Sequence, residues 1–213
     1  MTAIAQQPVT ADVLRAKFTA TDELVWIPAS KETFWNLIEL PEFHIEYVNH
    51  QIVGTMSYGA LSHERIINNL TGLFLMNFNS EDHESFGSNR PIHAADCNSI
   101  FEADVHLVSG ELKLYSYDKT KTATANPSVI IEVLSDSTKN FDINTKLPCY
   151  KLMPSVQHIL LIDQKKPNIQ VFSRTRKPNE WLNSDFNDLS QRLKILGKYF
   201  SLKNIYHKVI FNI

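Results

Sequence analysis

The period of apolar and polar positions changes several times along this 213-residue chain. Residues 128–135, SVIIEVLS, crowd branched apolar side chains around one carboxylate, Glu132. The run lacks the alternation of a half-exposed strand, so it predicts a strand buried on both faces. VQHILLID and NIQVFSR predict further strands, separated by a turn at QKKPN. Upstream, IEYVNHQIVGTM predicts a strand, a turn at Asn49-His50 and a second strand. From Ser62 the period lengthens. Ile66, Leu70, Leu73 and Phe74 recur at helical spacing in SHERIINNLTGLFLMNF. That pattern predicts a helix with Ser62 as N-cap and Glu64 in the first turn.

Other segments fill in the order of elements. KETFWNLIEL predicts a short helix ended by Pro41, and residues 93–108 predict two short strands around ADCNS. The second of these, IFEADVHLV, carries Asp104 within the strand. SGELKLYSYDKTKTATANP is a polar connection. FDINTKLPCYKLM predicts a helix that Pro148 restricts to a start near Asn144. LKILGKYFSLKNIYHKVIF predicts a strand, a turn at Gly197 and a short final helix. Residues 1–35 are expected to be an irregular lead-in and 36–213 one domain. Helices interleaved with strands predict an α/β fold, α+β-like in its mixed sheet, with helices flanking that sheet.

Composition narrows the functional classes. Apolar residues make up 43% of the chain, yet no window approaches the roughly 20 uncharged apolar residues of a membrane span. The first residues, MTAIAQQPVTADVLRAKF, lack the basic and apolar regions of a secretory signal. Cys97 and Cys149 have no CxxC spacing, so a reduced cytoplasmic protein is expected. The net charge of −2 conceals an asymmetry. Residues 1–138 hold 8 Lys/Arg against 18 Asp/Glu, a balance of −10, whereas residues 139–213 hold 13 against 5, a balance of +8. A split of this kind can place a polyanion-attracting face beside an acidic region, or simply reflect solvated surface.

An ionised Glu inside a buried strand is costly unless something positive meets it. Asp104 in one strand and Glu132 in the next can share a hard divalent cation, because Mg²⁺ prefers oxygen ligands and keeps several waters. The Val133 carbonyl can complete the protein's share of ligands. Lys146, just downstream, can orient a metal-bound water or steady charge on a phosphate. The plainer alternative is a structural ion pair between Glu132 and a lysine or arginine.

From about residue 43 onward the chain resembles the Uma-type family of the PD-(D/E)XK, or restriction-endonuclease-like, superfamily. The resemblance is carried by IEYVNHQIV, SHERIINNL, FEADVHLV, KLPCY, HILLID and LKNIY, and above all by NPSVIIEVLSDSTKNFD. It implies a restriction-endonuclease-like core and a Mg²⁺ site, which Mn²⁺ can also fill, at Asp104 and Glu132. The superfamily lysine two residues after the Glu is Leu134 here, and Lys146 on the following helix looks like its replacement. His63 and Tyr150 enter as supporting residues around that site, and Asp142 as a brace for the Lys146 helix. Where the family turn carries Asp-Gly this chain has Asn49-His50, which predicts a different turn conformation. Glu46 reads as an exposed hairpin carboxylate, and His106, His158 and His207 read as structural.

The resemblance therefore implies a Mg²⁺-dependent endonuclease hydrolysing DNA, with catalytic Asp104, Glu132 and Lys146. It is compatible with a homodimer, and the substrate-binding residues are not specified. A different class remains open: a catalytically silent nuclease fold that binds nucleic acid or protein. The basic residues expected along one rim are Lys139, Lys151, Lys165, Lys166, Arg174, Arg176 and Lys177.

Overall fold

The computed structural model describes residues 8–56, 59–78 and 81–211, and the chain divides into two compact units, Met1–Tyr58 and Gly59–Ile213. The break at 58/59 assigns the opening hairpin to the first unit.

The expected irregular lead-in is instead mostly regular, apart from residues 1–7, which lie outside the described residues. Helix α1 (Ala11–Phe18) is capped by Thr10, whose hydroxyl accepts from the Val13 N–H, and it buries Leu14 and Phe18. Two apolar residues four apart suffice for a short helix once tertiary packing covers them. They are too few to stand out in a polar stretch. Strand β1 (Val25–Pro28) is followed by α2 (Lys31–Leu37), with Ser30 as its N-cap. Strands β2 (Phe43–Val48) and β3 (Gln51–Met56) form the predicted hairpin, and β1 pairs antiparallel with β3 on its other side. Phe18 meets Phe43 edge-on, and Phe34 packs against Tyr47. Asn49 and His50 have φ of +39° and +68°. Both central residues are left-handed, which is the primed turn that Asp-Gly favours. The expectation of a different turn is therefore corrected: two left-handed residues in a two-residue loop match the right-handed twist of the flanking strands.

In the second unit, α3 (Leu61–Asn77) buries Ile66, Leu70 and Phe74 as the spacing predicts. It begins earlier than expected, with Ala60 at the N-cap. Ser62 is thus inside the first turn, and its hydroxyl donates to Gln164 Oε1 at 3.2 Å instead of capping. Strands β4 (His83–Gly87), β5 (Ile92–Ala94), β6 (Ser99–Phe101) and β7 (Val105–Ser109) follow. The polar connection contains β8 (Leu114–Ser116) and β9 (Thr122–Thr124). The buried strand is β10 (Val129–Leu134), with every residue buried. Next come α4 (Lys139–Phe141), a π-helical turn (Asp142–Lys146) and α5 (Leu147–Leu152). Pro148 lies in the first turn of α5, where a missing N–H costs little.

Strands β11 (His158–Asp163), β12 (Ile169–Arg174) and β13 (Trp181–Phe186) complete a six-stranded sheet of order β13-β12-β11-β10-β7-β4. Within it β10 and β11 are parallel and the other neighbours antiparallel, so the predicted mixed α/β architecture is present. Helix α3 covers one face through Ile66, Leu70 and Phe74 against Val105, Leu107, Val129, Ile131 and Val133. The hairpin β14 (Arg192–Ile195) and β15 (Lys198–Ser201) and helix α6 (Leu202–Ile205) add Leu193, Ile195, Phe200, Leu202 and Ile205 to the same core. The Tyr206 hydroxyl donates to the carbonyls of Asp163 and Asn168 and accepts from the Asn168 N–H, locking the β11–β12 turn.

One cysteine expectation is corrected. Cys97, in a 3-10 turn after β5, and Cys149, in α5, form a disulfide across a sequence separation of 52. Linear spacing does not reveal a pair that the fold brings to a Cα separation of 5.8 Å.

Candidate active site

The site grows from the register of three strands. Because β10 and β11 are parallel, their C-terminal residues Leu134 and Asp163 lie side by side. Strand β7 runs the other way, with Val105 opposite Ile131, so the residue just before β7 sits beside Glu132 at that same end. That residue is Asp104. It occupies a bend between β6 and β7, and not the continuous strand that IFEADVHLV suggested. The bend frees its carboxylate to turn toward β10, where Oδ2 accepts the Val133 N–H at 2.6 Å.

His63, in the first turn of α3, closes the other side of Asp104, with Nε2 at 3.3 Å from Oδ1 and Nδ1 at 3.5 Å from Glu64 Oε1. Burial pushes the Asp104 carboxyl up, but the His63 hydrogen bond and charge, the Val133 N–H and the Lys146 charge outweigh it. The net direction is below the ordinary carboxylate value. His63 responds in kind: burial lowers it, Asp104 and then Glu64 raise it, and the net direction is up.

Glu132 faces a different partner set. Its Oε1 lies 2.8 Å from Lys146 Nζ and accepts the Tyr150 hydroxyl at 2.7 Å. Lys146 also reaches Asp142 Oδ1 at 3.4 Å and donates to the Glu102 carbonyl at 3.1 Å. Glu132, Asp142 and Lys146 are 2–3% exposed, so this is a buried charge cluster and not a solvated lysine on a helix. The π-helical turn that carries Asp142 and Lys146 is a local departure from α-helix of the kind often found at functional sites. Tyr150, fully buried, follows one turn after Lys146 and packs edge-on against Phe101.

The positive partner that Glu132 requires is thus Lys146. Asp142 is part of the cluster, a direct charge partner as well as a helix brace. The Glu102 carbonyl and Gln164 carried no signal in the sequence pattern. The i, i+4 spacing of Asp142 and Lys146 was the available clue to their own pairing. Glu46, expected to be exposed, is buried in β2 with His44 Nε2 at 3.7 Å from Oε1. His106 and His158 are structural as expected: His106 Nε2 bonds Thr124 Oγ1 and its ring stacks on Phe86, while His158 is held by Ser173 and the Leu196 N–H.

The expected basic rim divides in two. Lys139, Lys165 and Lys166 follow the C-terminal ends of β10 and β11, at the Asp104–Glu132 end. Lys165 pairs there with Asp136. Arg174 ends β12, and Arg176 and Lys177 follow it; the end of β12 pairs with the start of β11, so all three lie at the opposite end. Arg174 spends its guanidinium on the carbonyls of Val156, Lys151 and Met153 and on the Trp181 ring 4.4 Å away. Lys151 lies over the Phe172 ring at 4.2 Å. Arg174 and Lys151 are corrected from phosphate-contact candidates to structural ties, because their side chains already have partners inside the fold.

The chemistry offered is three carboxylates, Asp104, Glu132 and Asp142, with a lysine, a histidine and a tyrosine hydroxyl. Among the described residues no group of three or more His, Cys, Asp or Glu is arranged to hold a metal ion, so a cation here would draw much of its shell from water or substrate. Among the same residues, no helix is long and apolar enough to cross a membrane.

Residues 32–198 match the Uma2 family model, described as "Putative restriction endonuclease". The chain is 34% identical over 119 residues to the uncharacterized protein sll1609 of Synechocystis sp. (strain ATCC 27184 / PCC 6803 / Kazusa), covering 56% of this chain and 66% of that protein, just under two thirds of its length. The fold of this chain matches the crystal structure of a "putative nuclease belonging to DUF820" from Anabaena variabilis ATCC 29413, with a TM-score of 0.64 at 15% identity over 86% of this chain and 100% of the other. At that identity the likeness establishes the fold alone.

Proposed function

We propose, from the premise that this chain belongs to the Uma2 family of restriction-endonuclease-like proteins, that it is an endonuclease hydrolysing DNA phosphodiester bonds with the help of Mg²⁺. The observation that carries the reading is the convergence of Asp104, Glu132 and Lys146, from a strand edge, a buried strand and a π-helical turn, at one end of the sheet. Asp104, Glu132 and the Val133 carbonyl would hold the cation, with Mn²⁺ able to substitute. When bound, it supplies positive charge at the phosphate and a water of lowered pKa.

The protein's own groups do the rest. Tyr150 and Lys146 fix the Glu132 carboxylate in one rotamer, and the Val133 N–H and His63 fix Asp104. Such preorganisation costs nothing further when charge develops on the substrate. Lys146 is the group that can shift from Glu132 toward a phosphate oxygen, and Asp142 holds its ammonium while it does so. DNA is the proposed substrate in preference to RNA, and a homodimer would present two such sites. Cytoplasmic residence is part of the same proposal. The Cys97–Cys149 bridge counts against it, because disulfides persist mainly in oxidising compartments.

The test is cleavage of a panel of DNA and RNA substrates with Mg²⁺ or Mn²⁺, beside Glu132→Gln. Metal-dependent cleavage by the wild type, lost in the variant, supports the proposal. Intact substrates under every condition favour the second reading, a nuclease fold acting as a binding module. One observation specifically supports that alternative: Glu132 Oε1 already has a lysine and a tyrosine as partners.

A further inference from the structure

The hairpin β14–β15 has two unlike faces. Leu193, Ile195 and Phe200 point into the core, whereas Arg192, Lys194 and Tyr199 lie on the outer face. Lys194 is directly opposite Tyr199 in the ladder. The Tyr199 ring is 56% exposed although large aromatics are usually covered. Arg192 and Lys194 sit 5.4 and 5.5 Å from its centroid. Lys198, at the start of β15, is exposed as well, but it pairs with Ile195 and so belongs to the other face of the ladder. From Leu189 to Ile213 the sequence holds five Lys/Arg and no Asp or Glu. The preceding carboxylate, Asp188, accepts the Ser190 N–H.

We propose that this face binds single-stranded nucleic acid, with Tyr199 stacking on a base while Arg192 and Lys194 contact phosphates. Three features favour that occupant over an acidic protein or a duplex. Exposed aromatic faces between cations match the alternation of base and phosphate along a strand. The two cations beside the ring restrict its motion, so little order remains to be imposed on binding. A duplex hides its base faces in the stack and would use the cations but not the ring. The inference does not require the cleavage chemistry. It places a contact away from that site: Phe200 packs on Phe74 of α3, eleven residues along the helix from His63, or roughly 16 Å at 1.5 Å per residue.

The experiment is fluorescence anisotropy with a labelled oligo-dT of about twelve nucleotides, within the span one such platform covers, in low salt with EDTA. Wild type should bind, Tyr199→Phe should match it, and Tyr199→Ala should weaken binding about tenfold, as expected for one lost stack. The Arg192→Gln/Lys194→Gln pair should instead flatten the salt dependence by about 1.4 in log–log slope, from roughly 0.7 per phosphate contact. Equal affinity of Tyr199→Ala and wild type, equal sensitivity of duplex binding to Tyr199→Ala, or no binding at low salt would each overturn the proposal. Glu132→Gln should leave this binding unchanged. Binding without wild-type cleavage therefore removes the nuclease reading and keeps the hairpin; cleavage with a Tyr199-insensitive affinity does the reverse.

Discussion

At the end of the six-stranded sheet where β10 and β11 finish, charged side chains face one another. At the end where they start, charged side chains face backbone. Asp104 meets His63, and Glu132 and Asp142 meet Lys146, all within 3.4 Å. At the far end Arg174 meets three carbonyls and an indole, and His158 meets a serine hydroxyl and a backbone N–H. Both sets neutralise buried polarity, but with different freedom. A carbonyl satisfied by arginine has nothing else to offer, and that tie is purely structural. A carboxylate satisfied by lysine can exchange that partner for another cation, and the released ammonium can then take an anion such as a phosphate. The first arrangement holds a fold; the second is the one on which the proposed reaction rests.

The largest expected effect breaks the charged end. Lys146→Met leaves Glu132 and Asp142 without their shared buried cation, which should cost about 3–5 kcal/mol in a urea titration. Cleavage per folded molecule should fall about 100- to 1,000-fold, the usual loss for one preorganised charge. Lys146→Met combined with Glu132→Gln should recover part of the stability and none of the activity. Recovery of both would place Lys146 among the structural residues.

The matching experiment at the other end is Arg174→Ala. Loss of its bonds to Val156, Lys151 and Met153 should destabilise the protein by about 2–4 kcal/mol, since buried carbonyls lose a charged donor. Arg174→Lys should retain most of that defect, because an ammonium cannot reproduce the fork. Cleavage per folded molecule should stay within about twofold of wild type. A larger kinetic loss would join the two ends and dissolve the contrast.

How much of this contrast was legible in the sequence depends on range. The core strand around Glu132, the α3 face and the β11–β12 pair follow from local periodicity, and the structure has them. The resemblance picked out Asp104, Glu132, Lys146, His63 and Tyr150, and the fold brings them together in the two linked sets described above. What failed were inferences about partners. Nothing near Arg174 in the sequence announces the carbonyls of the 151–156 segment, so its charge looked available. Cys97 and Cys149 looked unpaired for the same reason. Helix α1 and strand β1 were missed because their apolar residues are few and acquire meaning only through packing.

The next test uses pH. Burial lowers His158 from its ordinary value of 6.5, and the Leu196 N–H to Nε2 leaves Nδ1 as the protonated atom bonded to Ser173 Oγ. The unfolded chain then binds more protons than the folded one just below that value. Stability contributed by the neutral ring is therefore complete above about pH 6.5 and is lost as pH falls through the ordinary histidine range. Urea midpoints measured from about pH 7.5 down to 5.5 should decline more steeply in wild type than in His158→Gln. Parallel profiles would show that this histidine is not part of the structural end.

The smallest effect separates two exposed lysines that look alike. Lys165 pairs with Asp136 beside the charged end, and Lys177 pairs with Glu180 beyond Arg174. All four side chains are substantially exposed, so replacing either lysine with alanine should change stability by less than about 1 kcal/mol. Their effects on duplex binding should differ. A phosphate arriving at the Asp104–Glu132 end can take Lys165 from Asp136, which releases a counterion; Lys177 is at the opposite end of the sheet. Binding measured with Ca²⁺ in place of Mg²⁺ should lose about 0.9 from its log–log salt slope in Lys165→Ala. Between about 50 and 200 mM salt that amounts to roughly a three- to fourfold smaller loss of affinity. Lys177→Ala should retain the full slope. Equal slopes in the two variants would mean that duplex DNA does not distinguish the ends of the sheet, and Lys165 would then be a surface pair like its counterpart.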